Sequence, residues 1–295
     1  MVVLSLFDGM SCSRIALERL GIDVKAYYSA EINKTAIKVS NDNYPDIIRI
    51  GNVTKVSYND GVLFTENGNY KVGKIDLLLG GSPCQDFSLA NPRGEGLQGS
   101  RSGLFYEYLR IREEVKPKHF LLENVKMKKS SKEQLDDYLG VQGVLINSNL
   151  FSYQNRPRIY WTDLTIKPVI DKNVSFQSYK ETNIKKCEPR KVKRTPSRIK
   201  MWGNGNGTNS YTTGCANVTY KDKVSCLTLS QDRCPNSGLV EYEDFCRYLT
   251  RAELEQAQTV PVGYTKSVSY NQACAVLGNG WTVDVICHIL SDLKI

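Results

Sequence analysis

The chain has 295 residues, 41% of them hydrophobic, which is enough for one large domain or two modest ones with a real core. The formal net charge is +8; this permits a polyanionic partner without requiring one. Nine cysteines, none spaced C-x-x-C, and only two histidines, His119 and His288, fit neither a disulfide framework nor a zinc site, so no metal and reduced thiols are expected. The first ten residues hold only a brief apolar run with no basic lead, and no later stretch reads as a bilayer span. The expectation is a soluble, cytoplasmic protein with no membrane partner.

In chain order, Val2–Phe7 is a short apolar run of the kind found in buried parallel strands. A turn, DGMSCS, follows, and then a helical pattern with Ile15, Leu17 and Leu20 apolar and Gly21 as a stop. VKAYYSAEI reads as a second strand, residues 33–43 as a second helix ended near Pro45, and IIRIGNV as a third strand. Asp76–Gly80, His119–Val125 and PRIYWTD are further strands. Strand–helix alternation of this kind predicts a doubly wound α/β sheet.

Beyond Thr162 the texture changes. KKCEPRKVKRTPSRIK is dense in Lys and Arg, and WGNGNGTNSYTTG is rich in Gly, Asn, Ser and Thr with no helical period. Residues 163–246 therefore read as a loop-rich, basic insert. Order returns from Arg247: TRAELEQAQ is helical with Thr250 as its cap, and QACAVLGNGWTVDVICHILSDL carries a turn and another helix. The domain boundaries expected are 1–162 plus 247–295, and 163–246.

Ligands of open α/β sheets bind at the carboxyl ends of strands, and the chemically capable residues fall there. Gly9 sits in the turn after the first strand, although G-x-G-x-x-G is absent. Glu31 closes the second strand at the spacing of a ribose-binding acid, against the alternative of a surface carboxylate. Asn52 follows the third. Cys84 comes just after Pro83 at the mouth of an apolar strand, ahead of a polar, glycine-rich stretch suited to a lid. That setting makes it a candidate nucleophile rather than a buried inert thiol. Glu123 ends another apolar strand. Arg156 and Arg158 precede a later one, where a guanidinium pair suits a carbonyl oxygen or a phosphate.

In this order, LFDGMSC, SAEINKTA, GNV, GGSPCQDFS, SRSGLFYEYLRI, LLENV, QNRPRIYW, RYLTRAELEQAQTVP and LGNGWTVDV resemble the motifs of the DNA cytosine-5 methyltransferases. The compact phage and bacterial members are similar, as is the catalytic domain of the animal de novo enzymes. The resemblance implies a Rossmann-like class I methyltransferase sheet with a smaller, irregular target-recognition domain at 163–246. It implies S-adenosylmethionine as cofactor and S-adenosylhomocysteine as product. Phe7, Asp8 and Gly9 line the methionine end, Glu31 takes the ribose, Asn52 with Val53 takes the adenine, and Ile32 is a further cofactor contact. Gly81, Pro83, Leu104, Asn279, Gly280 and Trp281 complete the pocket. Cys84, Glu123, Arg156 and Arg158 are implied to be catalytic on a cytosine flipped from double-stranded DNA. Gln85, Ser88, Arg93, Arg101, Gln231, Arg233 and Asn236 are candidates to touch the DNA. A monomer is expected. Two departures stand out: Ser11-Cys12 occupies the place of the usual glycine-rich turn, and Asn52 stands where many members have Asp. An RNA cytosine-5 methyltransferase and a non-catalytic DNA-binding regulator on the same scaffold remain as alternative readings, while the missing glycines argue against a dehydrogenase.

Overall fold

The structure is a computed structural model, and it describes residues 1–82, 103–193, 195–196, 216–229, 237–243 and 245–293. The chain divides into two compact units. The first comprises Met1–Ile146, Pro157–Lys167 and Ile286–Ile295; the second comprises Asn147–Arg156 and Pro168–Val285.

The first unit is organised by a seven-stranded sheet. Its strands are β1 (Val2–Leu6), β2 (Ala26–Ala30), β3 (Ile48–Arg49), β7 (Leu77–Gly80), β8 (His119–Val125), β9 (Val144–Asn147) and β10 (Pro157–Thr162), in the order β3-β2-β1-β7-β8-β10-β9. The pairings β1–β2, β2–β3, β1–β7 and β7–β8 are parallel, and β10 is antiparallel to β8. The strand order reverses beside β1, where such sheets open a crevice for ligands. Helices α1 (Cys12–Arg19), α2 (Lys34–Asn43) and α3 (Gly103–Val115) serve the crossovers, and α4 (Lys129–Leu139) follows β8. Asn33 caps α2, its Oδ1 accepting from Thr35 N (2.9 Å) and Ala36 N (3.1 Å). The apolar runs that predict β1, β7 and β8 are the core: Leu4, Leu78 and Leu122 are fully buried among Phe105, Ile111 and Trp161. Each such side chain contributes about 1.5–3 kcal/mol on burial. Gly80 is required by this packing, because a Cβ there would lie 2.6 Å from the Tyr108 ring of α3.

A second, three-stranded meander lies between β3 and β7: β4 (Ser57–Asn59), β5 (Val62–Thr65) and β6 (Gly68–Lys71). The sequence reading passes over it, although its first turn, Asp60-Gly61, has positive φ at both residues, as a two-residue hairpin with that twist demands. Helix α3 lies partly outside the motif-based reading, and α4 and β9 wholly outside it.

Asp136 of α4 is a buried acid in this unit. One oxygen accepts from Gly143 N (2.9 Å) and Trp161 Nε1 (2.6 Å), and the other pairs with Lys132 (2.6 Å). Burial raises its pKa, but the Lys132, Gly143 and Trp161 donors outweigh it and hold the carboxyl below its usual range. The sign follows: stability from Asp136 is full above the unfolded pKa near 4 and is lost as the pH falls through the lower folded value. Urea unfolding should show wild type ahead of Asp136→Asn at pH 7, with the gap narrowing below about pH 4.

The second unit holds the small sheet of β11 (Lys191–Lys193), β12 (Leu239–Glu241) and β13 (Phe245–Tyr248), ordered β11-β13-β12. It also holds the short α5 (Ile184–Cys187), α6 (Arg251–Ala257) and α7 (Tyr270–Asn279). Thr250 caps α6 in a full capping box with Glu253, and Ser269 does the same for α7 with Gln272. One expectation is corrected. Tyr270–Asp292 is apolar enough by length and composition to cross a bilayer, with a mean hydropathy of 1.4. It is divided after α7 at Gly280, before α8 (Val283–Ile289), and 67% of its most apolar stretch is buried inside the protein, so its apolar residues belong to the core.

Candidate active site

The strand register aligns the ends of five strands. Leu6 pairs with Ala30 on one side and with Gly80 on the other; Gly80 pairs with Leu122, and Ser29 pairs with Arg49. Phe7, Glu31 and Gly81 are the first residues past β1, β2 and β7, Gly51 is the second past β3, and Glu123, still within β8, follows Leu122 at the same level. Five residues singled out as one sequence motif apiece thus become one row along the carboxyl edge of a parallel sheet.

The turn after β1 is unusual. Phe7, Gly9 and Ser11 all have left-handed φ, at 56°, 58° and 62°. Ser11 caps α1 in that conformation, where a glycine would be free of strain. Asp8 turns inward and holds the turn together. Its carboxylate accepts from the hydroxyls of Ser5 (2.7 Å), Tyr27 (2.6 Å), Ser29 (2.9 Å) and Ser11, and Arg49 approaches to 3.6 Å. Burial, reinforced by the adjacent Asp8, raises the Tyr27 phenol well above its ordinary pKa and keeps it a donor. The hydroxyl of Ser11 also meets that of Ser40. A side-chain network thus fixes a turn that glycines would otherwise allow, and Asp8 contributes by position within it. Asp8→Asn removes half of these acceptors and the charge facing Arg49. It should lower the unfolding free energy by about 1–3 kcal/mol, read from urea curves.

Glu31 fastens the turn from the ligand side. Oε2 accepts from Gly9 N (2.8 Å), and Oε1 accepts from Ile32 N (2.8 Å) and Asn33 N (2.7 Å). Oε2 keeps capacity for a hydroxyl donor. Ile32 is 68% exposed beside it, an apolar surface with no core to cover. Asn52 caps the turn Val53–Lys55, its Oδ1 accepting from Thr54 N (3.1 Å), and Val53 is buried.

At the other end of the row, Glu123 is mostly buried and pairs with Arg158 of β10, Nε to Oε1 at 2.9 Å. Arg158 Nη1 also donates to Pro157 O. Asn124 ties β8 to the end of β7 through Ser82, Nδ2 to Oγ at 3.3 Å. Gly81 is half-buried after β7, and Leu104 packs against the core. Pro83, Cys84, Gln85, Ser88, Arg93 and Arg101 lie outside the described residues, as do Gln231, Arg233 and Asn236.

Arg156 belongs to the second unit and is buried there. Its guanidinium donates to the carbonyls of Leu227 (3.2 Å), Gly278 (3.1 Å) and Gly280 (2.9 Å). This brace fixes the end of α7, where Asn279 is exposed, Gly280 buried and Trp281 half-buried. Gln154 reinforces it: Oε1 accepts from Leu227 N, and Nε2 donates to Ala257 O and to the side chain of Gln258. Gln154 and Gln258 escape the sequence reading, although Gln154 stands in the same QNRPR run. Arg156 and Arg158, two residues apart, thus hold different things.

A doubly wound sheet with an acid and an open glycine turn at its carboxyl edge is an arrangement in which α/β proteins hold ligands. Comparison with known proteins refines this. The profile of the C-5 cytosine-specific DNA methylases matches residues 1–162. An orphan methyltransferase of Bacillus phage rho11s is 33% identical over 171 residues, 54% of this chain and 32% of its own length. The chain thus spans about a third of that relative. A type II methyltransferase of Lactococcus lactis subsp. cremoris is 27% identical over 326 residues, covering 98% of this chain and 77% of its own. Among solved structures, the Entamoeba histolytica methyltransferase EhMeth superposes with a TM-score of 0.75 at 16% identity, covering 100% of this chain and 99% of its own; this is a likeness of fold. The chain belongs to the C-5 cytosine-specific DNA methylase family.

Membership implies S-adenosylmethionine as methyl donor, and the donor set of the row fits it. Glu31 offers an acceptor for ribose hydroxyls, and Ile32 an apolar face for a base. A Cβ at Gly9 would meet nothing within 4 Å, so the turn is open to a close ligand. Among the described residues no cluster of His, Cys, Asp and Glu could hold a metal.

Proposed function

We propose that the chain is a DNA cytosine-5 methyltransferase, moving a methyl group from S-adenosylmethionine to C5 of a cytosine flipped out of double-stranded DNA. The observation that carries this reading is the row of strand ends that aligns Phe7, Glu31, Gly51, Gly81 and Glu123, with Pro83-Cys84 next along the chain.

When bound, S-adenosylmethionine supplies an electrophilic sulfonium methyl. Phe7, Gly9, Glu31, Ile32, Asn52 and Val53 hold it, and Leu104, Asn279, Gly280 and Trp281 are further contacts implied by the resemblance. Cytosine C5 is a poor nucleophile. The Cys84 thiolate adds to C6, forming an S–C bond and turning C5 into the carbon of an enamine; C5 would take the methyl as its bond to the sulfonium sulfur breaks, leaving neutral S-adenosylhomocysteine. Glu123 meets the charge that builds in the ring by holding a proton at N3. Arg158 orients Glu123 and reaches O2, and Arg156 braces the segment that leads into β10. Loss of the C5 proton and cleavage of the S–C6 bond release 5-methylcytosine and free Cys84. The base leaves the stack at a cost of a few kcal/mol. The segment bearing Gln85, Ser88, Arg93 and Arg101 closes over it. Residues 163–246, with Gln231, Arg233 and Asn236, hold the phosphates and read the sequence, while 1–162 and 247–295 carry the chemistry. The protein works as a soluble cytoplasmic monomer, as an orphan or as the modification half of a restriction–modification pair. The basic insert and the phage and type II relatives favour DNA over RNA.

The test is expression in a host that lacks cytosine methylation, followed by sequencing of its DNA and RNA for 5-methylcytosine. One methylated DNA motif is the expected result. Methylation of RNA alone would move the substrate to RNA. No methylation from a folded protein that binds S-adenosylhomocysteine would favour the binding-module reading.

A further inference from the structure

The meander β4-β5-β6 is separate from the main sheet, and its strands are largely exposed. Its tip, Glu66-Asn67, nevertheless grips the loop that follows β3. Glu66 Oε1 accepts from Asn52 N at 2.6 Å, and Asn67 Nδ2 donates to Arg49 O at 2.9 Å. The Glu66 carboxylate also fills the place where a Cβ on Gly51 would sit, and Gly51 itself has φ +78°. Arg49 continues the chain of contacts inward, donating to Ser29 Oγ (2.7 Å) and to Ser40 and facing Asp8. An element fourteen residues downstream of Asn52 thus fastens one end of a loop whose other end is tied to the turn after β1.

Neither contact builds a core, because Glu66 and Asn67 are both exposed. What they hold is the backbone of 49–52, a short loop with a left-handed glycine and hence a large freedom to lose when it becomes ordered. We infer that Glu66 is a positioning residue of the cofactor site: by accepting the Asn52 N–H it presets the 51–53 backbone, so that Asn52 and Val53 present a fixed edge to the purine of S-adenosylmethionine. The inference rests on the reading of that loop as the adenine contact. Its energetic logic is preorganisation. Ordering done by the meander in the free protein is not charged against binding. Glu66 acts through the loop and needs no contact with the ligand.

The test uses the full chain, with calorimetric titration of S-adenosylhomocysteine into wild type, Glu66→Ala and Glu66→Gln, together with the exchange rate of the Asn52 amide. Loss of a hydrogen bond to a charged acceptor corresponds to about a tenfold rise in Kd for Glu66→Ala. Asn52 exchange should quicken, the KM for S-adenosylmethionine should rise in step, and kcat at saturating cofactor should stay within about twofold. Glu66→Gln keeps an acceptor oxygen and should recover most of the affinity. An unchanged Kd in Glu66→Ala overturns the inference. So does an equal loss in both variants accompanied by a fall in kcat, which marks a general structural role. A wild-type chain that binds no S-adenosylhomocysteine would defeat the cofactor reading itself, and this inference with it. That failure is visible before any variant is compared.

Discussion

Cys84→Ser should abolish methyl transfer while leaving the fold and the affinity for S-adenosylhomocysteine intact. A serine hydroxyl matches the thiol in shape but is far less acidic, and no anion forms near neutral pH to add to C6. Without that addition C5 stays unreactive, because no other group proposed for the site converts the ring to an enamine. Activity should fall below detection by 5-methylcytosine sequencing, a loss of more than about a thousandfold. Binding isotherms and thermal melts should overlay those of wild type, since the hydroxyl is close to the thiol in shape and size. A Cys84→Ser protein that still methylates would sink the covalent mechanism while leaving membership of the family untouched. A variant that loses cofactor binding together with activity would point to a packing role for the thiol.

The second large effect is expected far from the chemistry. In the second unit Arg247 and Glu253 form a bidentate pair, Nη1 to Oε2 at 2.8 Å and Nη2 to Oε1 at 2.9 Å, with both side chains essentially inaccessible to solvent. Their remaining capacity is satisfied. Arg247 donates to the carbonyls of Glu181 and Tyr248 and to the Tyr242 hydroxyl; Glu253 accepts from Glu181 N and, closing the capping box, from Thr250 N. Burial disfavours the guanidinium charge, but Glu253 more than restores it, so Arg247 stays charged. Truncating one partner strands the other. Glu253→Ala should cost about 3–5 kcal/mol in urea unfolding, and Thr250 N should lose the reciprocal bond of the capping box as well. The double variant Arg247→Met with Glu253→Leu removes both charges and should recover much of that loss, because a buried pair is often no better than apolar residues of similar size. A double variant as unstable as Glu253→Ala would mean that the hydrogen bonds to Glu181, not the charge balance, hold this region.

The two predictions mark what a linear sequence reveals and what it hides. Continuous apolar runs made Val2–Leu6 and His119–Val125 legible as buried parallel strands, and Ile15 and Leu17 at helical spacing made α1 legible. Thr250 followed by Glu253 is a local signal and reads correctly. The row at the carboxyl edge was legible only in pieces: each residue lies at or near the end of an apolar run, but the register that aligns Glu31, Phe7 and Glu123 is a long-range property. Direction was hidden too. A turn residue can face ligand or core, and nothing local says that Asp8 points into the sheet toward Tyr27 and Ser29 while Glu31 reaches over to Gly9. Charged pairs such as Arg247–Glu253 look like surface residues until partners distant in sequence enclose them. The meander at 57–71 is different, since its Asp60-Gly61 turn carries a readable signal amid polar residues that dilute the alternation.

The interleaving of the two units has a consequence for synthesis of the protein. The first unit takes its closing piece from Ile286 onward, after every residue of the second has been made. That piece is fastened at several points: His288 Nε2 lies 2.9 Å from Lys167 O, Lys167 pairs with Asp292, and Cys287 Sγ lies 3.8 Å from Ala16 O. We expect the first unit to wait on the ribosome for this piece while Pro168–Val285 emerge, because domains fold as units and distant contacts close late. A ribosome stalled short of residue 286 should display a protease-sensitive amino-terminal half.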